Sequence, residues 1–212
     1  MTTRRLAHLS DLHVGRRDTT AALPAVLERL RRAQVDHVLV TGDLTDRGRS
    51  LEWQAFEDAF GPWRRFGRLT LVPGNHDRLG DELGSRIQHE RVCIDAPDGL
   101  WIVRLDSTGP HNRRFLNSHG VLDAHTVDQV RESLQAAPHG RLRVDALHHH
   151  VVPLPGECFW ERASSALGLP NAAELRLGGE LLSAIGPWCD AVLHEHRHHP
   201  VLLDPKGRGP LV

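Results

Sequence analysis

Cysteine is scarce in this sequence: three residues in 212, Cys93, Cys158 and Cys189, an odd number at wide spacing. That excludes a disulfide framework or a cysteine-rich zinc module, and a reducing, cytoplasmic compartment is the simplest reading. Long apolar runs are missing too. Nothing approaches the roughly 20 residues of a membrane span, and Asp11 and His13 arrive before a signal peptide's apolar stretch could form. Charge of one sign is not in excess either: 26 Lys+Arg face 27 Asp+Glu, a net charge of −1. This balance counts against a general polyanion binder and leaves a nucleic-acid partner disfavoured. No repeat, low-complexity tract or linker interrupts the chain, so residues 1–212 are expected to form one domain. An apolar fraction of 40% supplies its core. What is abundant is histidine, 16 residues, and their placement carries the functional reading.

The first half of the chain has β-α-β-α-β rhythm. Arg4 to Ser10 reads as a strand ending in Asp11-Leu12-His13. Leu23, Val26, Leu27, Leu30 and Ala33 recur at helical spacing. His37 to Thr41 is a short apolar run stopped by Gly42-Asp43, as in a buried parallel strand. A helix over Leu51 to Trp63, with Trp53, Phe56, Phe60 and Trp63 on its core face, precedes a strand at Leu69 to Val72 that stops at Pro73-Gly74. Asp11, Asp43 and Asn75 thus lie 32 residues apart, each just beyond a strand. Right-handed crossovers would bring all three to one sheet edge, where open α/β sheets bind ligands. In the second half, strands are expected at Leu100–Leu105, Leu142–Leu147, Asp190–Leu193 and Val201–Leu203, with helices at Ala124–Ala137 and Ala172–Ile185. Pro153 to Pro170, carrying Phe159 and Trp160, reads as a loop or lid.

Five polar blocks follow strands: Asp11-x-His13, Gly42-Asp43, Gly74-Asn75-His76-Asp77, His148-His149-His150 and His196-x-His198. They offer oxygen and imidazole donors without thiolate, a set suited to Mn, Fe or Zn rather than Ca²⁺. These donors exceed what one tetrahedral shell needs, so two ions sharing a carboxylate are the economical arrangement.

This ordered set resembles the signature of the calcineurin-like metallophosphoesterases: Asp-x-His, Gly-Asp, Gly-Asn-His-Asp/Glu, His, Gly-His-x-His. The resemblance spans residues 8 to 200. Gly42 to Gly48 and the Leu-His-His-His run before Pro-Leu-Pro look most like the bacterial class III branch of cyclic-nucleotide and glycerophosphodiester phosphodiesterases. The resemblance implies an α/β fold, a four-layer αββα sandwich of two mixed β-sheets flanked by helices. It implies Asp11, His13, Asp43 and His198 on one metal, and Asp43, Asn75, His148 and His196 on the other. The cofactors would be two divalent or trivalent ions (Mn, Fe or Zn) and the substrate a small phosphoester. His76 would contact the phosphate and protonate the leaving alkoxide, and Asp77 would orient a nearby histidine. His148 is preferred over His149 as ligand because it directly follows its strand. His149 is expected on the substrate side.

Two features depart from the family. Glu195 stands where the family has glycine, implying strain of roughly 1–3 kcal/mol if that position needs φ > 0, or an extra carboxylate near the metals, or a partner for Arg197. After Pro200 few residues remain for the family's further strands, so the ending reads as short or truncated, which could expose an edge or call for a second copy in a homo-oligomer. These departures motivate an alternative, a catalytically weak relative acting as an interaction module. A nuclease of the same family is a further alternative, against which the net charge and lack of a basic cluster count. His194-Glu195-x-x-His198 also matches the zinc-peptidase pattern, but that chemistry needs a helix, and the residues before it read as strand.

Overall fold

The computed structural model describes residues 4–114, 118–151, 175, 177–195 and 211–212. Strands β1 (Leu6–Leu9), β2 (His37–Thr41) and β3 (Leu69–Val72) form a parallel sheet in the order β1-β2-β3. Helices α1 (Arg17–Arg32) and α2 (Ser50–Arg65) make its crossovers, which parallel neighbours require. Among the described residues the pairings within this sheet are parallel, as helical connections require. The second sheet, order β4-β5-β6-β7, is mixed. Its β4 (Val92–Asp95) runs antiparallel to β5 (Leu100–Leu105), while β5, β6 (Leu142–Ala146) and β7 (Ala191–Leu193) are parallel. The edge strand β4 has no counterpart among the strands expected from sequence. A one-turn helix α3 (Gly84–Ile87), then α4 (Ala124–Gln135) and α5 (Gly178–Ile185) are the other α-helices among the described residues.

Strand alternation sends successive side chains to opposite faces, and three apolar seams result. Val38 and Val40 face α1 and α2, where Leu23, Leu30, Trp53, Phe56 and Phe60 are buried. Leu39 and Val72 meet Leu100, Ile102, Val144 and Ala146 between the sheets. Val103, Leu105 and Val192 face α4 and α5, packing with Val130, Leu134, Leu181 and Ile185. The layers are therefore helix, sheet, sheet, helix. Phe56 and Phe60 have no exposed surface and stack at 4.9 Å, so truncating either to alanine costs about 3–5 kcal/mol.

Local chemistry fixes the element ends. Asp123 caps α4 by accepting from the Thr126 N–H and hydroxyl. Glu52 in the first turn of α2 reaches back to accept from the backbone of Arg47 and Arg49. Gly178 opens α5 rather than interrupting a longer helix, and a Cβ there would lie 2.4 Å from the Val151 carbonyl oxygen. Leu211 returns to pair beside β7 at Ala191. The strand expected at residues 201–203, the Phe159–Trp160 loop and Cys158 lie outside the described residues. Among the described residues no helix is long and apolar enough to cross a membrane.

Candidate metal centre

The loops after β1 and β2 continue to pair beyond their strands. Asp11 N–H donates to the Gly42 carbonyl at 3.2 Å, His13 N–H to that of Asp43 at 2.9 Å, and Val14 N–H to that of Leu44 at 3.0 Å. This lacing holds Asp11, His13 and Asp43 in left-handed backbone, with φ of 53°, 41° and 48°. Three non-glycine residues in that region at one spot store strain that the surrounding bonds hold in place. Two glycines supply the remaining room. A Cβ on Gly42 would meet the His148 ring at 2.3 Å, and one on Gly74 would meet Asp43 at 2.2 Å.

Asp43 sits at the middle. Its Oδ2 lies 3.7 Å from His13 Nε2 and its Oδ1 lies 3.5 Å from His148 Nε2. Asp11 Oδ1 is 3.8 Å from His13 Nε2, and Asn75 Oδ1 is 3.1 Å from His148 Nε2. Asp11, His13, Asp43, Asn75 and His148 are thus brought together from four loops, three of the first sheet and one of the second. The Asp11 and Asp43 side chains are only 4% and 3% exposed. The ion pairs Asp43 makes among the described residues are all with histidine. Buried carboxylates without a fixed cation are costly, so this donor set fits metal ions. Asp11, Asp43 and His148 offer ligand atoms within 4.8 Å of one another.

The imidazoles are oriented from behind. His148 Nδ1 donates to the Thr41 carbonyl at 3.0 Å, leaving Nε2 toward Asp43 and Asn75. Burial alone would depress its pKa, but the charges of Asp43 and Asp11, the Thr41 carbonyl and the charge of Asp77 outweigh it and raise it. His76 Nδ1 donates to the Asp46 carbonyl at 2.6 Å, and its Nε2 lies 4.0 Å from Asp43 Oδ2. The His76 N–H also donates to Asp43 Oδ1 at 2.8 Å.

Among the described residues Asp77 accepts no hydrogen bond from a histidine. It accepts from the backbone of Leu44, Thr45 and Gly74 and from the Thr45 hydroxyl, at 2.7–3.2 Å. It therefore staples the turn carrying Asp43 to the turn carrying Asn75. Burial, then the Asp43 charge, pushes its pKa up to about 6. His149 Nδ1 shares a 2.7 Å bond with the Ser107 hydroxyl, and its Nε2 donates to the Ser118 carbonyl at 2.8 Å. Glu195 is not among the described residues with positive φ. Its carboxylate lies 3.6 Å from His150 Nε2, and its carbonyl accepts from Ser10 Oγ at 3.3 Å. His194 follows a strand, so residues 191–195 lack the helix a His-Glu-x-x-His site needs. His196, Arg197 and His198 lie outside the described residues.

Sequence reasoning passed over Asp46. Its Oδ1 is 3.7 Å from His13 Nδ1 and accepts from Arg16 Nε at 2.5 Å. The signal was available: Asp46 falls three residues after Asp43, inside the Gly42–Gly48 block.

The model of the family described as calcineurin-like phosphoesterases matches residues 4–199. The chain belongs to this family. Over 191 residues it is 25% identical to the 3',5'-cyclic adenosine monophosphate phosphodiesterase CpdA of Haemophilus influenzae, covering 87% of this chain and 63% of that protein. Over 110 residues it is 34% identical to the glycerophosphodiester phosphodiesterase GpdQ of Enterobacter lignolyticus, covering 42% of this chain and 39% of that protein. The chain thus spans less than two thirds of the length of these curated relatives. In fold it is similar to a dimetal phosphatase from Danio rerio, with TM-score 0.66 at 14% identity over 98% of this chain and 85% of that one.

Proposed function

We propose that this calcineurin-like phosphoesterase hydrolyses small phosphodiesters with two metal ions held by Asp11, His13, Asp43, Asn75, His148, His196 and His198. The observation that carries this reading is Asp43, which turns one oxygen toward His13 and the other toward His148, the disposition of a carboxylate shared by two cations. Mn, Fe or Zn bound there would acidify coordinated water toward pKa ≈ 7 and offset charge on the phosphoryl oxygens. The chain's own residues do the rest. His76, whose Nδ1–H donates to the Asp46 carbonyl, would act in its imidazolium form, giving the Nε2 proton to the leaving alkoxide while Nδ1–H stays on that carbonyl. Asn75 and His148 hold the side of the centre nearest the second sheet. Asp77 fixes the spacing of the two turns that carry Asp43 and Asn75.

The preference for small diesters rests on the named relatives, and a reducing compartment suits the free thiols of Cys93 and Cys189. The residues form one domain in this reading. The test is metal analysis combined with turnover of bis-p-nitrophenyl phosphate, 3',5'-cyclic AMP and glycerophosphocholine in added Mn²⁺. About two ions per chain and turnover of at least one diester are expected. A metal-replete protein that turns over no phosphoester would instead establish a scaffold on the same fold.

A further inference from the structure

At the pole opposite the metal centre, the inter-sheet seam is left open. The N-terminal ends of the strands surround a cavity of about 1120 Å³, slightly above the roughly 300–1,000 Å³ of small-molecule sites. Its floor continues the apolar seam through Leu6 and Leu100. Phe66, on its wall, is 77% exposed, a large uncovered ring.

The rim is cationic. Arg5 donates to the Ala33 carbonyl at 2.9 Å, and Arg68 to the carbonyls of Asp36 and Val35. Arg141 Nη1 is held by the carbonyls of Ala96, Pro97 and Leu100 at 2.9–3.1 Å. Carbonyl oxygens position these guanidiniums without neutralising them. Asp36 and Asp98 share Arg4, Asp36 also lies in the field of Arg68, and Asp190 takes Arg143, so Arg4, Arg5, Arg68 and Arg141 together still outweigh the acidic side chains around the cavity. In a chain of net charge −1, three positioned guanidiniums therefore surround an apolar floor.

We propose that this cavity is a second binding site, for a small molecule joining a planar aromatic ring to a phosphate. The ring stacks on Phe66 above Leu6 and Leu100, and the phosphate takes the remaining N–H groups of Arg5, Arg68 and Arg141. The site uses none of the residues of the metal centre and does not rest on the activity proposed above.

The test is calorimetric titration of the metal-loaded full chain and its variants with AMP, adenosine and inorganic phosphate. Asn75→Ala, which weakens the metal centre, is expected to leave one AMP site. Phe66→Ser combined with Arg5→Glu, both exposed positions, is expected to weaken that binding tenfold or more while diester turnover stays unchanged. Adenosine and phosphate are each expected to bind at least about tenfold more weakly than AMP. Loss of all AMP binding in Asn75→Ala, unchanged affinity in the double variant, or phosphate binding as tightly as AMP would each overturn the proposal.

Discussion

Gly74 and Asp43 approach so closely that a Cβ on Gly74 would lie 2.2 Å from Asp43 Oδ1 and from its backbone N. Both are buried, and the atoms in conflict include rigid backbone, so the clash has no cheap relief. Gly74→Ala should push Asp43 aside and spoil the centre from a position that touches no metal. Misplacement of about 1 Å at such a centre costs on the order of 10²-fold in rate. The expected result is weakened Mn²⁺ binding by calorimetry together with turnover lowered by about that factor. Full metal affinity in Gly74→Ala would show that the Asp43 position is not what the glycine protects.

Asn75 and His76 are neighbours in sequence with different duties. Asn75 Oδ1 sits 3.1 Å from His148 Nε2 at the heart of the donor set, whereas His76 has Nδ1 spent on Asp46 and Nε2 at the edge. Asn75→Ala should lower metal content in elemental analysis. His76→Ala should retain both ions and slow the chemical step by about 10²–10⁴, the usual contribution of a positioned acid. Equal metal loss in the two variants would assign His76 to the metal shell instead.

The first sheet and its turns were legible because the chain repeats one unit: apolar strand, polar turn, amphipathic helix. That repetition alone places Asp11, Asp43 and Asn75 on one edge of the sheet. Less visible was what depends on contacts between distant segments. Asp77 looked like a histidine's partner, yet its buried position gives it four donors from Leu44, Thr45 and Gly74. His149, one residue from a candidate ligand, points to the other face of its turn, where Ser107 and Ser118 use both ring nitrogens. Asp46 stands in the Gly42–Gly48 block, but its hold on His76 runs through a backbone carbonyl, which carries no mark in sequence. The strain expected at Glu195 depended on a backbone angle that the strand before it does not impose.

Asp77→Ala should destabilise the whole domain rather than only its chemistry. Three N–H groups and the Thr45 hydroxyl would lose one shared acceptor inside the protein. Buried donors without partners cost about 1–3 kcal/mol each, and partial relaxation leaves a loss on the order of 4 kcal/mol. Urea unfolding of the metal-free protein should show it. Asp77→Asn keeps one acceptor oxygen and should recover part of the loss, and equal stability of all three proteins would remove the stapling role.

Asp145 on β6 is fully buried on the helix-facing side of the second sheet, between Val103 and Val192 in register. Its two oxygens have no hydrogen-bond partner among the described residues. Burial pushes its pKa from 3.8 up to about 7, against a small opposing pull from the Ala146 N–H. The neighbouring Cys189 thiol is pushed up to about 12, by burial first and by Asp145 second. Because the folded pKa is the higher one, the folded state keeps its proton longer than the unfolded chain. Stability is therefore unpenalised below about pH 4, falls as pH rises toward 7, and is fully reduced above it. At about 1.4 kcal/mol per pH unit the interval is worth roughly 4 kcal/mol. Asp145→Val, an apolar residue suited to a central strand, should stabilise the protein by several kcal/mol at pH 8 and by much less at pH 4.5. Urea midpoints of variant and wild type at the two pH values decide the matter, since a stability difference that does not change with pH would mean the carboxyl does not titrate between them.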